Sequence, residues 1–302
     1  MKLGIVILNY LNWKDTIECV DSLLQQSKKD IEVVIVDNHS NNESKKKISE
    51  YCSEYEHITV IETTSNVGFA KGNNTGIKFL KDEKGIFNIF VCNNDVIFND
   101  QHFFEKLSRL EIDKQTGAIG TTIIGSDGKN QNPVKLKIDF YTLVKHLLEP
   151  LLMEIGFSKV LANTHRLVQK IKKSKSPKES TSQVNSKTDS PSHPYLLHGA
   201  AIYFTENYLK KSDGFYPETF LYYEENILGI VFEKLGLNML YLEKLALYHK
   251  EDQSMALSFS DVSKAKKKLL RQSIITAMKV RLMNLSSINK KLITKYTYNI
   301  IK

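Results

Sequence analysis

The 302-residue chain is poor in features that mark several large classes of protein. Its three cysteines, Cys19, Cys52 and Cys92, are an odd and sparse set without metal-type spacing, so we expect reduced thiols in an intracellular protein. No run reaches about 18 consecutive apolar residues, which predicts no membrane-spanning helix. The apolar start is too short for a span and lacks a small-residue cleavage site; we interpret it as a buried strand.

The sequence also lacks two common glycine patterns of nucleotide-binding sites, G-x-G-x-x-G and G-K followed by Ser or Thr. Instead, Gly68, Gly72 and Gly76 are spaced four residues apart. If residues 69–80 are helical, these glycines form one bare stripe, and each interior glycine costs about 1 kcal/mol relative to alanine. We therefore predict close packing of a backbone or ligand against this face. The helix start and the preceding Asn66 could also meet a phosphate.

Composition is ordinary for a globular protein, with 41% hydrophobic and 25% charged residues. The length suits one large domain, or a domain with an appendage. The net charge of +8 is uneven, because residues 261–302 hold eleven lysines and arginines against one aspartate, a balance of +10. The rest of the chain therefore sums to −2, and the basic character belongs to the tail.

The first 125 residues alternate between strand-like and helix-like patterns, which predicts a mostly parallel sheet in a layered α/β domain. The predicted strands are 3–9, 31–37, 58–62, 87–92 and 118–124. Further on, 140–172 has a helical apolar pattern and 173–193 is polar and serine-rich, so we expect the latter to be a mobile insert. A strand over 195–204 and a helix that stops at Gly236 complete the pattern.

Polar residues end the predicted strands, and ligands of such sheets bind outside the carboxyl ends of the strands. These residues are Asn9, Tyr10, Asp37, Asn38, Asn66, Asn93, Asn94 and Asp95. Asp37 suits either a turn or cap, or a carboxylate that binds a base or ribose. Asp95 suits either a strand-end turn or a ligand of Mg²⁺ or Mn²⁺. His249 is either structural or, if it lies near Asp95, part of the same metal site.

Two adjacent acids, Glu224 and Glu225, open the last predicted helix of the α/β region. Acids in a first turn often favour the helix dipole. Neighbouring helical side chains point about 100° apart, so we expect one acid to face a cleft while the other caps or braces the helix.

Several stretches, taken in order, resemble the family 2 glycosyltransferases of the GT-A fold, and most closely the rhamnosyltransferase-like members that build bacterial surface polysaccharides. They are GIVILNYLNW, VVIVDNHSNN, NVGFAKGNNTGI, CNNDV, GAIGTTIIGSDGK, HGAAIYF, DGFYPETFLYYEEN and LYHKEDQS. The resemblance implies a GT-A catalytic domain over 1–256, with a mostly parallel central sheet flanked by helices. Within it, 1–125 would bind the nucleotide-sugar, 140–193 would be a helical and serine- and lysine-rich mobile insert, and 194–256 would be the acceptor-binding and catalytic half. Residues 257–302 would be a basic helical extension.

The resemblance also implies roles for individual residues. Asp95 matches the final acid of the Asp-x-Asp motif and would bind Mg²⁺ or Mn²⁺ with His249, whereas Asn93 replaces the first acid. Glu225 matches the catalytic base and Glu224 its companion. Asn73 stands where many members have arginine. The implied nucleotide-sugar contacts are Asn9, Tyr10, Asp37, Asn66, Gly68, Asn73, Asn93, Asn94 and Asp95.

The implied activity is an inverting hexosyl-type transfer from dTDP-rhamnose or a UDP-sugar to a saccharide or lipid-linked saccharide in cell-surface polysaccharide synthesis. An inactive glycosyltransferase-like scaffold is an alternative. A nucleic-acid binder is a weaker one, because the tail has no recognised motif and only two aromatic residues, Tyr296 and Tyr298. For the tail we favour attachment to an anionic membrane through 261–302 at the inner face of the cell membrane; the other interpretation is a basic helix packed on the domain.

Overall fold

The computed structural model describes residues 2–134, 139–154, 196–251 and 262–302. Over these residues the chain forms a nine-stranded sheet in the order β5-β8-β6-β7-β4-β1-β2-β3-β9. The strands are β1 (Leu3–Asn9), β2 (Ile31–Asp37), β3 (Ile58–Thr63), β4 (Ile89–Asn93), β5 (Val96–Ile97), β6 (Thr116–Ile124), β7 (Ala201–Phe204), β8 (Asn238–His249) and β9 (Tyr298–Ile300). The helices are α1 (Trp13–Leu24), α2 (Ser44–Cys52), α3 (Gly68–Lys84), α4 (Phe103–Ser108), α5 (Phe140–Glu154), α6 (Glu206–Leu209), α7 (Glu224–Leu235), α8 (Val262–Leu282) and α9 (Leu285–Leu292).

The first half of the sheet is parallel, as the alternation of strands and helices predicts. β1 pairs in parallel with β2 on one side and with β4 on the other, and β2 pairs in parallel with β3. The residues of β1, β2 and β4 are almost all buried, which explains why these strands are continuous apolar runs rather than alternating ones. The core lies on both faces of this sheet.

The second half of the sheet is mixed, and here one sequence prediction needs correction. β7 pairs antiparallel with both β4 and β6, while β8 runs parallel to β6. The strand predicted over 195–204 begins only at Ala201, and Leu196 forms an isolated bridge with Val134. The residues between them turn instead of extending, because their backbone groups hydrogen bond to other parts of the site described below.

The glycine stripe of α3 packs against the sheet, which confirms the prediction of close packing. A Cβ atom on Gly72 would lie 2.6 Å from the Leu8 side chain, and one on Gly76 would lie 2.6 Å from Val6. Gly68 has a φ of 82°, and its Cβ would lie 2.3 Å from the Phe220 carbonyl oxygen. The stripe therefore lets α3 lie directly on β1 and β2 while its first residue touches the chain around Phe220.

The basic C-terminal segment is built onto the domain. Three apolar residues of α8, Ile274, Ala277 and Val280, are buried, and β9 pairs antiparallel with β3 at the sheet edge. The apolar residues of the tail that suggest a lipid-facing helix are Leu269, Ile274, Ile275, Met278 and Leu282. Of these, Ile274 is buried in the domain, whereas Leu282 is 75% exposed. One face of α8 therefore packs on the domain, as the second interpretation of the tail expects, while another face is exposed; membrane attachment stays a prediction.

Some sequence predictions fall outside the described residues. The serine-rich insert at 173–193, the helical pattern beyond residue 154 and the domain boundary at 256–257 all lie there. In the part of the chain that the structure describes, every helix is too short or too polar to cross a bilayer.

Candidate functional site

The polar strand ends meet at one edge of the sheet, as their positions predict. Asn9 ends β1 in register with Asp37 at the end of β2, and Leu8 is in register with Asn93 at the end of β4. His249 ends β8 in register with Val96. The carboxyl ends of these strands therefore bring the candidate residues of the donor side together.

Asp37 and Asn9 are joined by a buried hydrogen bond between their side chains. The Asn9 Nδ2 atom donates to Asp37 Oδ2 at 2.6 Å, and the Ser40 amide donates to Asp37 Oδ1 at 2.8 Å. Thr16 donates to Asn9 Oδ1 at 2.9 Å, and both Asn9 and Asp37 are completely buried. This geometry favours the turn interpretation of Asp37, because its carboxylate braces the loop that follows β2.

Asn38 has a structural role that the sequence did not indicate. Its Nδ2 donates to Asn66 Oδ1 at 3.0 Å, while its Oδ1 accepts from the Val67 amide at 3.0 Å. Asn66 in turn accepts from the Gly68 amide at 3.0 Å. Asn38 therefore ties the end of β2 to the segment that starts α3, and this network shapes the edge on which partly buried Tyr10 also lies.

Asn73 lies inside α3 rather than on its solvent side. It is 1% exposed, and its Nδ2 donates to the Phe69 carbonyl at 3.1 Å. Its Oδ1 has no hydrogen-bond partner among the described residues. A buried acceptor without a hydrogen-bond partner costs free energy. The Asn73 side chain is held only by its bond to the Phe69 carbonyl of the same helix, and no described residue donates to its Oδ1.

Asp95 and His249 form a close pair. His249 Nε2 lies 3.2 Å from Asp95 Oδ1, and both side chains are nearly buried. On the other side of the ring, Nδ1 lies 2.9 Å from Gln131 Oε1, which can only accept, so Nδ1 carries a proton. Gln131 is fixed by donating to Glu251. Because Gln131 sets the ring orientation, Nε2 is directed at Asp95.

This pair fits a divalent cation with help from a ligand. Oxygen and imidazole ligands of such ions sit about 2.1 Å from the metal, so two adjacent ligands lie roughly 3 Å apart, as these two atoms do. No three His, Cys, Asp or Glu side chains of the described residues are grouped to hold a metal. Asp95 and His249 could therefore hold an ion whose remaining ligands come from substrate oxygens and water.

The two asparagines before Asp95 point in different directions. Asn94 is turned inward, where its Nδ2 donates to the Asn12 carbonyl at 2.9 Å and to Thr16 at 3.1 Å. Asn93 is partly buried, and its Nδ2 lies 3.5 Å from His249 Nε2. Asn93 therefore borders the Asp95–His249 pair, whereas Asn94 braces the start of α1.

Glu224 and Glu225 have different surroundings, as expected from their angular separation. Glu224 is 4% exposed, and burial, with repulsion from Glu225, raises the pKa of its carboxyl to about 8. Glu225 is only partly buried, and its Oε1 accepts from the Gly199 amide at 3.0 Å. Glu225 is therefore the acid that is both accessible and fixed in direction.

The loop before α7 is strained and held from two sides. Tyr222 and Tyr223 both have φ values near 72°, in the left-handed region that bulky residues rarely adopt. The Phe220 carbonyl accepts from the Phe69 amide at 2.7 Å, and the Leu221 carbonyl accepts from Ser273 at 3.1 Å. Such strain persists only where surrounding contacts impose it; here α3 and α8 fix the loop that delivers Glu225.

His198 is a site residue that the sequence did not single out. Its ring centroid lies 5.8 Å from that of His249, and its neighbour Gly199 holds Glu225. Burial lowers the pKa of His198, while the negative charge of Glu225 acts in the opposite direction. The only sequence signal was its place in the HGAAIYF stretch, immediately before a buried strand.

Comparison with known proteins places this geometry in a family. A family model described as Glycosyl transferase family 2 matches residues 4–165, more than half of the chain. A poly(ribitol-phosphate) beta-glucosyltransferase of Bacillus spizizenii is 34% identical over 143 residues, which cover 44% of this chain and 22% of that protein. A low-salt glycan biosynthesis hexosyltransferase of Haloferax volcanii is 31% identical over 103 residues, which cover 34% of this chain and 31% of that protein. The matched region thus spans less than a third of either relative.

Solved structures show the same fold at low identity. The mannosyltransferase PcManGT of Pyrobaculum calidifontis, in complex with GDP-Man and Mn²⁺, superposes with a TM-score of 0.52 at 12% identity, covering 92% of this chain and 73% of that one. S. aureus TarS 1–349 in complex with UDP gives a TM-score of 0.53 at 16% identity, covering 97% and 70%. Both are glycosyltransferases of the GT-A type, which confirms the expected architecture. With the family model covering most of the sheet and its strand ends, the chain belongs to Glycosyl transferase family 2.

Proposed function

We propose that this protein is an inverting glycosyltransferase that moves a sugar from a nucleoside-diphosphate donor to a hydroxyl of a glycan acceptor. One observation carries the proposal. The turn 198–200 connects an accessible carboxylate, Glu225, to the strand end next to Asp95 and His249, the pair that could hold a cation. The Gly199 amide of this turn holds Glu225, and the Ala200 carbonyl accepts from the Asn93 amide at 2.9 Å. Such a transfer needs a general base and a binding site for the leaving diphosphate that are held in fixed positions relative to each other.

In this proposal Glu225 removes the proton from the acceptor hydroxyl as that oxygen attacks the sugar. An ionised carboxylate within hydrogen-bond reach can serve as a general base. Asp95 and His249 would hold a Mg²⁺ or Mn²⁺ ion, which would neutralise charge on the departing diphosphate. Tyr10, Asn66 and Gly68 would border the nucleotide, with Asn9, Asp37 and Asn94 supporting them and Asn73 behind the α3 start.

The names of the relatives support a sugar donor and a cell-surface product. The two curated relatives are a glucosyltransferase and a hexosyltransferase of glycan synthesis. Structures with GDP-Man and Mn²⁺ and with UDP-GlcNAc show related folds holding nucleotide-sugars. We extend these to a hexosyltransferase of cell-surface glycan synthesis. A dTDP-rhamnose or UDP-sugar donor, as in rhamnosyltransferase-like members, is the specific version of this proposal.

Binding of nucleotides tests the donor site. Calorimetric titration of the protein with UDP, dTDP, GDP and CMP, each with and without Mn²⁺, should show tight binding of one nucleotide that weakens at least tenfold when Mn²⁺ is omitted. The expected reason is that the ion would be bound jointly by Asp95, His249 and oxygens of the diphosphate, so the nucleotide loses this contact when Mn²⁺ is absent. If folded protein bound none of the four in either condition, a catalytically inactive scaffold would become the better interpretation.

We further propose that the outward face of α8 and α9 contacts an anionic membrane surface on the cytoplasmic side. Lys268, Arg271 and Lys279 are exposed on α8, and nearby Leu282 and Leu285 are 75% and 43% exposed. Lysine and arginine beside exposed apolar side chains match anionic lipid in charge and polarity. Because α8 also holds the loop before Glu225, this contact would bring the acceptor side to a lipid-linked saccharide.

Vesicle sedimentation tests the membrane proposal. The protein should sediment with vesicles containing phosphatidylglycerol and not with pure phosphatidylcholine, and the double variant Leu282→Glu/Leu285→Glu should lower the bound fraction about tenfold. Leu240→Glu is the matched control, since Leu240 is equally apolar and 39% exposed on β8. Equal sedimentation with both kinds of vesicle, or equal sedimentation of the double variant and the control, would contradict the proposal.

A further inference from the structure

The turn 198–200 joins three separate parts of the candidate site. The His198 amide donates to Asn132 Oδ1 at 3.0 Å, and the Gly199 amide donates to Glu225 Oε1 at 3.0 Å. The Ala200 carbonyl accepts from the Asn93 amide at 2.9 Å. The turn is tightly confined, because a Cβ on Gly199 would lie 2.5 Å from Glu225 Oε1. The His198 ring therefore lies beside His249, one residue before the glycine whose amide holds Glu225.

The hydrogen bonds of His198 determine which ring nitrogen carries its proton. The Ala200 amide donates to His198 Nδ1 at 3.1 Å, so Nδ1 is the acceptor and a neutral ring carries its proton on Nε2. No described residue accepts a hydrogen bond from Nε2. The ring is partly buried and lies at 63° to the His249 ring, with centroids 5.8 Å apart. It therefore presents a spare donor beside the residue that would help to hold the metal.

We propose that His198 donates a hydrogen bond from Nε2 to the β-phosphate of the nucleoside-diphosphate donor. This inference rests on the proposed function and adds to it a donor-contacting residue on the leaving-group side. Negative charge grows on the β-phosphate as the sugar leaves, and a pre-positioned donor stabilises such charge. A neutral imidazole provides this hydrogen bond without adding a second positive charge next to the cation.

The contact predicts a change in one ratio of affinities. His198→Phe keeps a ring of similar shape against His249 but removes the donor. With Mn²⁺ present, it should weaken calorimetric binding of the nucleoside diphosphate about 10- to 100-fold, the effect of losing a hydrogen bond to a charged group. Binding of the matching monophosphate, which has no β-phosphate, should change less than about twofold. His198→Gln, which can place an N–H near the position of Nε2, should keep the diphosphate affinity within about threefold of the wild-type value.

Two further variants keep the test decisive. His198→Ala should give the same selective loss if the phenylalanine variant does not fold. His102→Phe is the matched control, because His102 is an exposed histidine whose ring contacts Ser27 and Glu105, and it should leave both affinities unchanged. Equal losses for the diphosphate and monophosphate, or no loss for either, would overturn the role of His198. Failure of the wild-type protein to bind any nucleoside diphosphate would instead overturn the proposed function.

Discussion

Replacing Glu225 with glutamine should slow sugar transfer severely and leave donor binding nearly intact. We expect turnover to fall about 10²- to 10⁴-fold, the usual contribution of a general base. The affinity for the nucleoside diphosphate in the presence of Mn²⁺ should stay within about twofold of the wild-type value. Glutamine is nearly isosteric, and its side-chain oxygen can still accept from the Gly199 amide, so the loss would report the missing base. Product formation and calorimetric binding should be measured on the same preparation.

Glu224→Gln is the matched control for this experiment, and it has a separate pH signature. The Glu224 carboxyl stays protonated in the folded protein up to a pKa of about 8, above its unfolded value of 4.5. Its folded-state advantage is therefore complete below about pH 4.5 and is lost as pH rises towards 8, at no more than about 1.4 kcal/mol per pH unit. Glutamine does not titrate, so the variant should gain stability over wild type from pH 5 to pH 8 in urea unfolding. If Glu224→Gln, and not Glu225→Gln, abolished transfer, the assignment of the base would be wrong.

Replacing Asp95 should remove the dependence of donor binding on Mn²⁺. Asp95→Asn keeps the shape of the side chain and removes its charge, so that only His249 of the pair could still act as a metal ligand. We expect the enhancement of nucleoside-diphosphate affinity by Mn²⁺ to drop at least tenfold and transfer to fall below detection. The reason is that a hard divalent ion prefers a carboxylate oxygen, and the described residues offer no third His, Cys, Asp or Glu ligand here.

Asp100→Asn is the control for Asp95→Asn. Asp95 precedes the short strand β5 and Asp100 follows it, but the Asp100 carboxylate is partly exposed and pairs with Lys106 at 2.7 Å. Its replacement should leave metal-dependent binding unchanged. If Mn²⁺ strengthened nucleotide binding equally in the wild-type protein and in Asp95→Asn, Asp95 would not be a metal ligand, and the pair with His249 would be a structural ion pair.

Local patterns in the sequence were sufficient for much of the fold. Buried parallel strands appear as continuous apolar runs, so β1, β2 and β3 could be placed to within a residue or so. The four-residue glycine spacing predicted the packed face of α3, since only a missing Cβ permits such an approach. The 100° helical step separated Glu224 from Glu225. Each of these signals lies within a few neighbouring residues, where short-range sterics determine the conformation.

The tertiary structure decided which polar side chains serve the site and which support it. Asn94 and Asp95 are adjacent in sequence. Nevertheless, Asn94 hydrogen bonds to Asn12 and Thr16, whereas Asp95 faces His249. Gln131 and His198 could not be predicted as site residues, because no local sequence pattern distinguishes them. Part of the strand predicted over 195–204 is instead a turn whose backbone hydrogen bonds to Glu225 and Asn93. The sequence by itself indicated the family, the main parallel strands and the candidate polar residues at their carboxyl ends. Only the folded chain decided their partners, because a hydrogen bond between residues a hundred positions apart depends on how whole elements pack.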